Sequence, residues 1–318
     1  MVYLGLFILL LILELIYFRV ASYFNIIDKP NERSSHSTIT LRGGGIVFYF
    51  GAIAYFFSSG FLFPWFYLGL TLMTFISFLD DIYTLSNKIR LFIHFVAVLL
   101  VAYQLNMFGM EWYFLLVGFI IVVGVINAYN FMDGINGITA SYSLAVCGLL
   151  LIVNKAVGFI PNDLLISVGL SLIVFSFFNF RNKAKCFAGD VGSVSIAYIL
   201  IFAIGLLILK TGNFIYILFL SVYGIDTVWT IIQRLLRKEN IFEAHRSHLY
   251  QYLANEAGIN KLFVSASYAL LQFGLGLLVI EIAADSSHIQ LFFALIVLFS
   301  LSAIYLGLKG WIIKKYIK

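Results

Sequence analysis

The sequence predicts an all-α fold, a polytopic bundle of about eleven transmembrane helices, with ten as the lower alternative. Three observations predict it. Of 318 residues, 62% are hydrophobic and 11% charged, against an apolar share of roughly 45–50% in soluble domains, and the mean hydropathy is +1.02. The apolar residues form runs near the roughly 17–25 residues a helix needs to cross the hydrocarbon. The basic residues are segregated, 17 Lys and Arg falling in one set of connecting segments and two, Lys155 and Lys210, in the other.

In chain order the runs cover 2–24, 43–58, 64–79, 91–104, 112–129, 138–154, 163–178, 193–209, 213–232, 262–283 and 289–308. The first has no basic leader and no small-residue cleavage site before Arg19, so it is expected as a retained helix and not a removed signal peptide. The triplet Gly43–Gly45 opens the second, and the pair Asp80–Asp81 ends the third. The fourth is the shortest. The fifth brings Asn130 and Asp133 onto one face if its helix continues that far. Gly189 and Gly192 flank Asp190 at the mouth of the eighth, where Ser193 is available as a cap.

The segments 25–42, 80–90, 130–137, 179–192, 233–261 and 309–318 carry the 17 basic residues and are therefore expected in the cytoplasm. The N-terminus is then outside and the C-terminus inside. This topology accounts for the net charge of +5 without nucleic-acid binding. The longest inner segment, 233–261, is too short to bury a core of its own. It is expected to carry an amphipathic helix at the interface, because Phe242, Leu249, Tyr250 and Leu253 alternate with charges. One membrane domain, 1–318, is the economical reading, with Cys147 and Cys186 as free thiols.

The chemistry is expected where acids interrupt these runs. A carboxylate at a helix centre in lipid costs about 2.5–3.5 kcal/mol on insertion scales, so Asp80, Asp81, Asp133 and Asp190 call for a reason. Two carboxylates about 4 Å apart repel by roughly 4 kcal/mol at an effective dielectric of 20. One of the Asp80–Asp81 pair must then be protonated, paired with a cation or turned away, and Lys88 and Arg90 lie close by in sequence; alone, the pair is also consistent with a helix end at the interface. The segments NFMDGING and FAGDVGS read equally as glycine-broken turns or as ligand sites, the second with backbone amides open to an anion. In HRSHL, His245 and His248 stand three apart around Arg246, and without a third soft ligand nearby phosphate suits them better than zinc. Arg33, His36 and Arg42 read as substrate contacts or as inner-face anchors. Glu14 and Glu281 are expected as buried, satisfied carboxyls, and Asp226 as either a site residue or a structural one.

Taken in order, DKPNERSSH with RGGG, DD followed by KIR, NxxNFMDGxxG, FAGDVGS, DTVWTIIQR and HRSHLYQYL resemble the polyprenyl-phosphate N-acetylhexosamine-1-phosphate transferase superfamily. This is the MraY/WecA-like glycosyltransferase family 4, and the HRSHLYQ ending looks closest to its bacterial O-antigen initiating enzymes. The resemblance implies transfer of a sugar 1-phosphate from a UDP-sugar to undecaprenyl phosphate, releasing UMP, at the cytoplasmic face of the bacterial inner membrane. It implies Mg²⁺, with Mn²⁺ as a substitute, held by Asn130 and Asp190 with Asp133 in support. Asp80 and Asp81 would orient or deprotonate the lipid phosphate, and Lys88, Arg90, His245, Arg246 and His248 would hold the diphosphate. The family commonly reads DGxDG where this chain has Asn136, a position that looks like a nucleotide-side contact. The implied partners are the polyprenyl phosphate, the UDP-sugar and the membrane, with a homodimer left open. The main alternative is an ion-coupled transporter. Against it, these acids lie at inner span ends and not near the bilayer midplane, and no internal repeat is seen. A lipid-binding scaffold without activity is the third reading.

Overall fold

The structure, a computed structural model, describes residues 2–30, 38–83, 85–240 and 246–317. Arg33, His36, Phe242 and His245 lie outside the described residues. Among those described, eleven helices follow the eleven expected runs: α1 (Val2–Tyr23), α2 (Ile46–Ser58), α3 (Pro64–Tyr83), α4 (Asn87–Gln104), α5 (Trp112–Met132), α6 (Ile138–Val157), α7 (Asn162–Asn179), α8 (Gly189–Thr211), α9 (Ser221–Leu236, entered through a 3₁₀ segment Phe214–Leu220), α11 (Lys261–Ile282) and α12 (Ser287–Ile312). A short α10 (Leu249–Gln251) precedes α11 and runs on into a π-helical turn, Tyr252–Glu256. Nine of these helical stretches are long and apolar enough to cross a membrane. The remaining two are α2 and α4. At 13 residues α2 spans about 20 Å, short of a hydrocarbon core of roughly 30 Å. It is short because Gly43 to Gly45 are drawn out of the helix into backbone pairing.

The bundle is built around α8, in which every residue from Val191 to Ile204 is buried. A helix apolar on all sides is stable only when neighbours surround it. Phe202 stacks on Phe66 of α3 with centroids 4.0 Å apart, Thr74 and Ser195 share a hydrogen bond of 2.8 Å, and the Tyr198 hydroxyl donates to the Ala97 carbonyl of α4 at 2.8 Å. These contacts fix the ends of α3 and α4 beside the start of α8. On the other side, Tyr142 of α6 stacks on Tyr223 of α9 at 3.6 Å.

A small antiparallel ribbon, β1 (Ile27–Asp28) with β2 (Thr40–Leu41), covers the same end of the bundle. Leu41 also pairs with Cys186 in parallel, and the amides of Gly44 and Gly45 donate to the carbonyls of Phe187 and Ala188 at 2.9 and 3.1 Å. The backbones come so close here that a Cβ on Gly45 would stand 2.4 Å from the Gly192 Cα. Only glycine fits, which places the RGGG segment against the AGDVG segment.

Three expectations are corrected. Leu249 and Tyr250 are buried and Leu249 packs with Tyr305 and Ile312, so these two side chains of 233–261 face the protein and not an interface. Glu281 is exposed, one residue before the end of α11. Glu14 is fully buried as expected, but only one of its oxygens is engaged: Oε1 accepts from the Cys186 thiol at 3.6 Å, and Oε2 has no hydrogen-bond partner among the described residues.

Candidate active site

Helix α8 begins at Gly189 without a capping side chain of its own, which leaves its first amides in need of acceptors. Ser193 does not supply one, since its hydroxyl donates back to the Gly189 carbonyl at 3.1 Å. The acceptor comes from α3. Asp81 takes the amides of Asp190 and Val191, both at 3.0 Å, an anion at a helix N-terminus where the peptide dipoles favour it. The ligand of those amides is therefore the protein's own carboxylate.

The Asp80–Asp81 repulsion is resolved by turning apart, each acid onto its own arginine. Arg42 Nε pairs with Asp81 at 2.7 Å, and Arg90 Nη1 with Asp80 at 2.6 Å. Asp80 also accepts the Leu85 amide at 2.6 Å, closing the turn into α4. Both arginines reach on to Asp190, Arg42 to Oδ1 at 3.2 Å and Arg90 to Oδ2 at 3.4 Å. Three carboxylates and two guanidiniums thus share one site with a formal charge of −1. The Asp81 side chain is wholly covered, that of Asp80 is 7% exposed, and those of Asp190, Arg90 and Arg42 are 18%, 29% and 35% exposed. A ligand arriving from outside meets Asp190 and the two arginines first. Asp81 is positioned to hold Asp190 and Arg42 in place, not to touch a lipid phosphate as expected from the sequence. Tyr17 of α1 adds to this, its hydroxyl donating to the Arg42 carbonyl at 2.6 Å.

Asp133 caps the C-terminus of α5, which ends one residue earlier. Asn130 and Asp133 therefore do not share a continuous helical face. The Asp133 carboxyl accepts from Thr139 at 2.5 Å. Burial pushes it up to about 6, against the Thr139 hydrogen bond, and the charges of Asp190 and Arg42 lie within electrostatic reach. Asn130 is partly exposed and Lys88 exposed.

Asn136 has other work than a nucleotide contact. It is 5% exposed, its Nδ2 donates to the carbonyls of Arg181 and Asn182 at 2.7 and 3.2 Å, and its own carbonyl accepts from Ser265 at 2.8 Å. Two carbonyl acceptors require an N–H donor. An aspartate at this position would set a carboxylate against both, which accounts for asparagine here.

HRSHL forms a second, separate constellation. His248 is 1% exposed and lies beside Asp226 at 3.1 Å, so it does not face the acidic cluster. Asp226 also accepts the amides of Leu249 and Tyr250 at 3.0 and 3.3 Å and the hydroxyls of Tyr268 and Thr230 at 2.7 and 3.4 Å. Arg246 pairs with Glu256 at 2.5 Å. The two constellations are joined by Tyr250, whose hydroxyl donates to the carbonyl of Phe131, next to Asn130, at 2.9 Å.

Among the described residues, no three His, Cys, Asp or Glu side chains form a ready cage for a metal. Mg²⁺ does not require one, since it is usually held by one or two carboxylates together with waters and substrate phosphates. The exposed oxygens of Asp190 at the cluster are hard donors that fit it, and the histidine left in view, His248, is turned elsewhere. Sequence reasoning gave Arg42 no firm role; the glycine triplet that follows it was the available signal, because it brings the Arg42 backbone against the start of α8.

A family model described as Glycosyl transferase family 4 matches residues 63–209. The chain is 29% identical over 327 residues to a probable undecaprenyl-phosphate N-acetylglucosaminyl 1-phosphate transferase of Bacillus subtilis, covering 94% of this chain and 90% of that protein. It is 26% identical to the undecaprenyl-phosphate alpha-N-acetylglucosaminyl 1-phosphate transferase of Escherichia coli K12, covering 94% and 88%. A phospho-N-acetylmuramoyl-pentapeptide-transferase of Thermotoga maritima is 27% identical over a shorter stretch, 52% of this chain and 59% of that protein. The matched family segment runs from the start of α3 to the end of α8, the helices whose ends build the acidic cluster, and this match together with the full-length relatives supports a place in the MraY/WecA-like superfamily.

Proposed function

We propose that this protein transfers N-acetylglucosamine 1-phosphate, or the 1-phosphate of a closely related N-acetylated sugar, from its UDP-sugar to undecaprenyl phosphate, releasing UMP. The product would start a lipid-linked cell-surface glycan such as an O-antigen or capsule. The observation that carries this reading is Asp190, the most exposed of three clustered carboxylates, flanked by Arg42 and Arg90. That arrangement suits a diphosphate and a divalent cation, and full-length relatives are named for this reaction.

An oxygen of the lipid phosphate forms a bond to the sugar-bearing phosphorus, and the bond from that phosphorus to the bridging oxygen breaks, UMP leaving with the oxygen. Asp190 and Asn130 would hold Mg²⁺, which when bound supplies neutralisation of the diphosphate charge. Arg90, Lys88 and Arg246, with His245, hold the diphosphate, and Arg42 is free to do so once its carboxylate partners are engaged elsewhere. Asp80, at the end of α3, orients the incoming lipid phosphate, while Asp81 keeps Asp190 and Arg42 in register.

The test is UMP release by purified protein given undecaprenyl phosphate, Mg²⁺ and a panel of UDP-sugars. Release that requires both the lipid and UDP-N-acetylglucosamine or a close analogue is expected. No release with any sugar, from protein that remains folded, overturns the reading. The cytoplasmic placement of the site follows from the basic-residue asymmetry. In intact cells an impermeant thiol reagent should label Lys155→Cys and leave Lys88→Cys and Lys183→Cys unlabelled. All three positions are exposed and both native cysteines are buried, so labelling of all three would reverse the orientation.

A further inference from the structure

Lys309 enters the sequence as one more basic residue at the inner end of the last span, yet it is 2% exposed. A lysine is almost never that buried unless paired. Its Nζ donates to the carbonyl of Ser247 at 2.5 Å and to the hydroxyl of Tyr305 at 2.6 Å. The ammonium also stands 5.2 Å above the ring of Tyr252 and 5.0 Å above that of Tyr305, within cation–π range. Tyr305 shares a hydrogen bond of 2.8 Å with Thr230, which donates to Asp226, so the chain of contacts returns to the carboxylate that gathers His248, Leu249 and Tyr250.

Ser247 has no regular helix or strand to hold it, and it sits between Arg246 and His248. Asp226 fixes the segment from its C-terminal side, and Lys309 fixes the peptide between the two. The contact is with a backbone carbonyl, so it sets where the chain runs whatever the side chain of Ser247. We infer that Lys309 is a positioning residue, holding the 246–248 backbone from α12 so that Arg246 is presented to the diphosphate. The inference rests on the proposed reaction for its functional consequence, but not for its structural one.

The test uses full-length Lys309→Met, which keeps the length and apolar bulk of the side chain and removes the ammonium, together with Tyr305→Phe, which removes only the bridging hydroxyl. In UMP-release assays Lys309→Met should raise KM for the UDP-sugar by roughly tenfold, the equivalent of one charge-assisted hydrogen bond lost. KM for undecaprenyl phosphate should be unchanged, Tyr305→Phe should shift the same parameter less, and Lys309→Met should add little to Arg246→Ala. Unchanged KM for both substrates overturns the inference, as does an equal loss toward both accompanied by a lower Tm. If the wild type releases no UMP, the proposed function fails while the positioning claim is still decided by hydrogen exchange. Faster exchange at the amides of 247–252 in Lys309→Met supports it, and unaltered exchange overturns it.

Discussion

Two aspartates of this bundle, Asp190 and Asp226, look alike in sequence and stand in opposite circumstances. Asp226 is 2% exposed and is met by five donors: His248, two backbone amides and the hydroxyls of Thr230 and Tyr268. Nothing is left for a ligand. The Asp190 carboxylate is instead paired with two arginines that are themselves about a third exposed. An anion entering the site could draw either arginine away, and a cation could take its place. The difference teaches that a buried charge surrounded by backbone and hydroxyl donors organises the chain, while a charge matched by partly exposed counter-charges is available for chemistry.

The comparison breaks most readily at Asp190. Asp190→Asn should lower UMP release by at least about a hundredfold, the scale on which weakened metal and ligand-shell contacts act, and recover in part at high Mg²⁺ or Mn²⁺. Its unfolding temperature in detergent should stay near that of the wild type. Near-normal turnover at limiting Mg²⁺ would remove Asp190 from the metal site. Asp226→Asn should do the reverse, costing about 3 kcal/mol as donors lose a buried anionic acceptor, visible as a clear fall in Tm. An unaltered Tm would show that the hub is not structural.

Asn136→Asp sharpens the contrast from a third place. It introduces the acid that the motif resemblance implies at this position, and should nevertheless destabilise the protein by about 2 kcal/mol, because a carboxylate would face the carbonyls of Arg181 and Asn182 without a donor between them. A gain in stability or in turnover would mean that these bonds do not dictate the asparagine.

The smallest effect concerns Asp133. Burial raises its carboxyl to about 6, so without metal the fold favours the protonated form. That contribution to stability is present below the ordinary carboxylate range and is lost as pH rises through about 6. In metal-free protein, Asp133→Asn should therefore gain slightly in Tm over the wild type as pH goes from 5 to 7, while losing activity. A gap that narrows over that interval would contradict the direction of the shift.

The sequence by itself determined the all-α class, the positions of the eleven helical runs and the segments that carry acids and bases, because span length and hydropathy are properties of contiguous residues. The order of its motifs also carried the resemblance to glycosyl transferase family 4. The sequence did not distinguish Asp80 from Asp81, and it set Asp190 apart from Asp226 only through the resemblance carried by the motifs. Asp81 caps a helix that begins more than a hundred residues later, Lys309 holds a carbonyl 62 residues away, and Asn136 answers carbonyls at 181 and 182. Which carboxylate is sealed and which is open depends on donors brought from distant helices, and no local pattern records that. The tertiary structure decided it by packing α3 and α4 against α8, and α9 against α12, so that each acid met either buried amides and hydroxyls or partly exposed arginines.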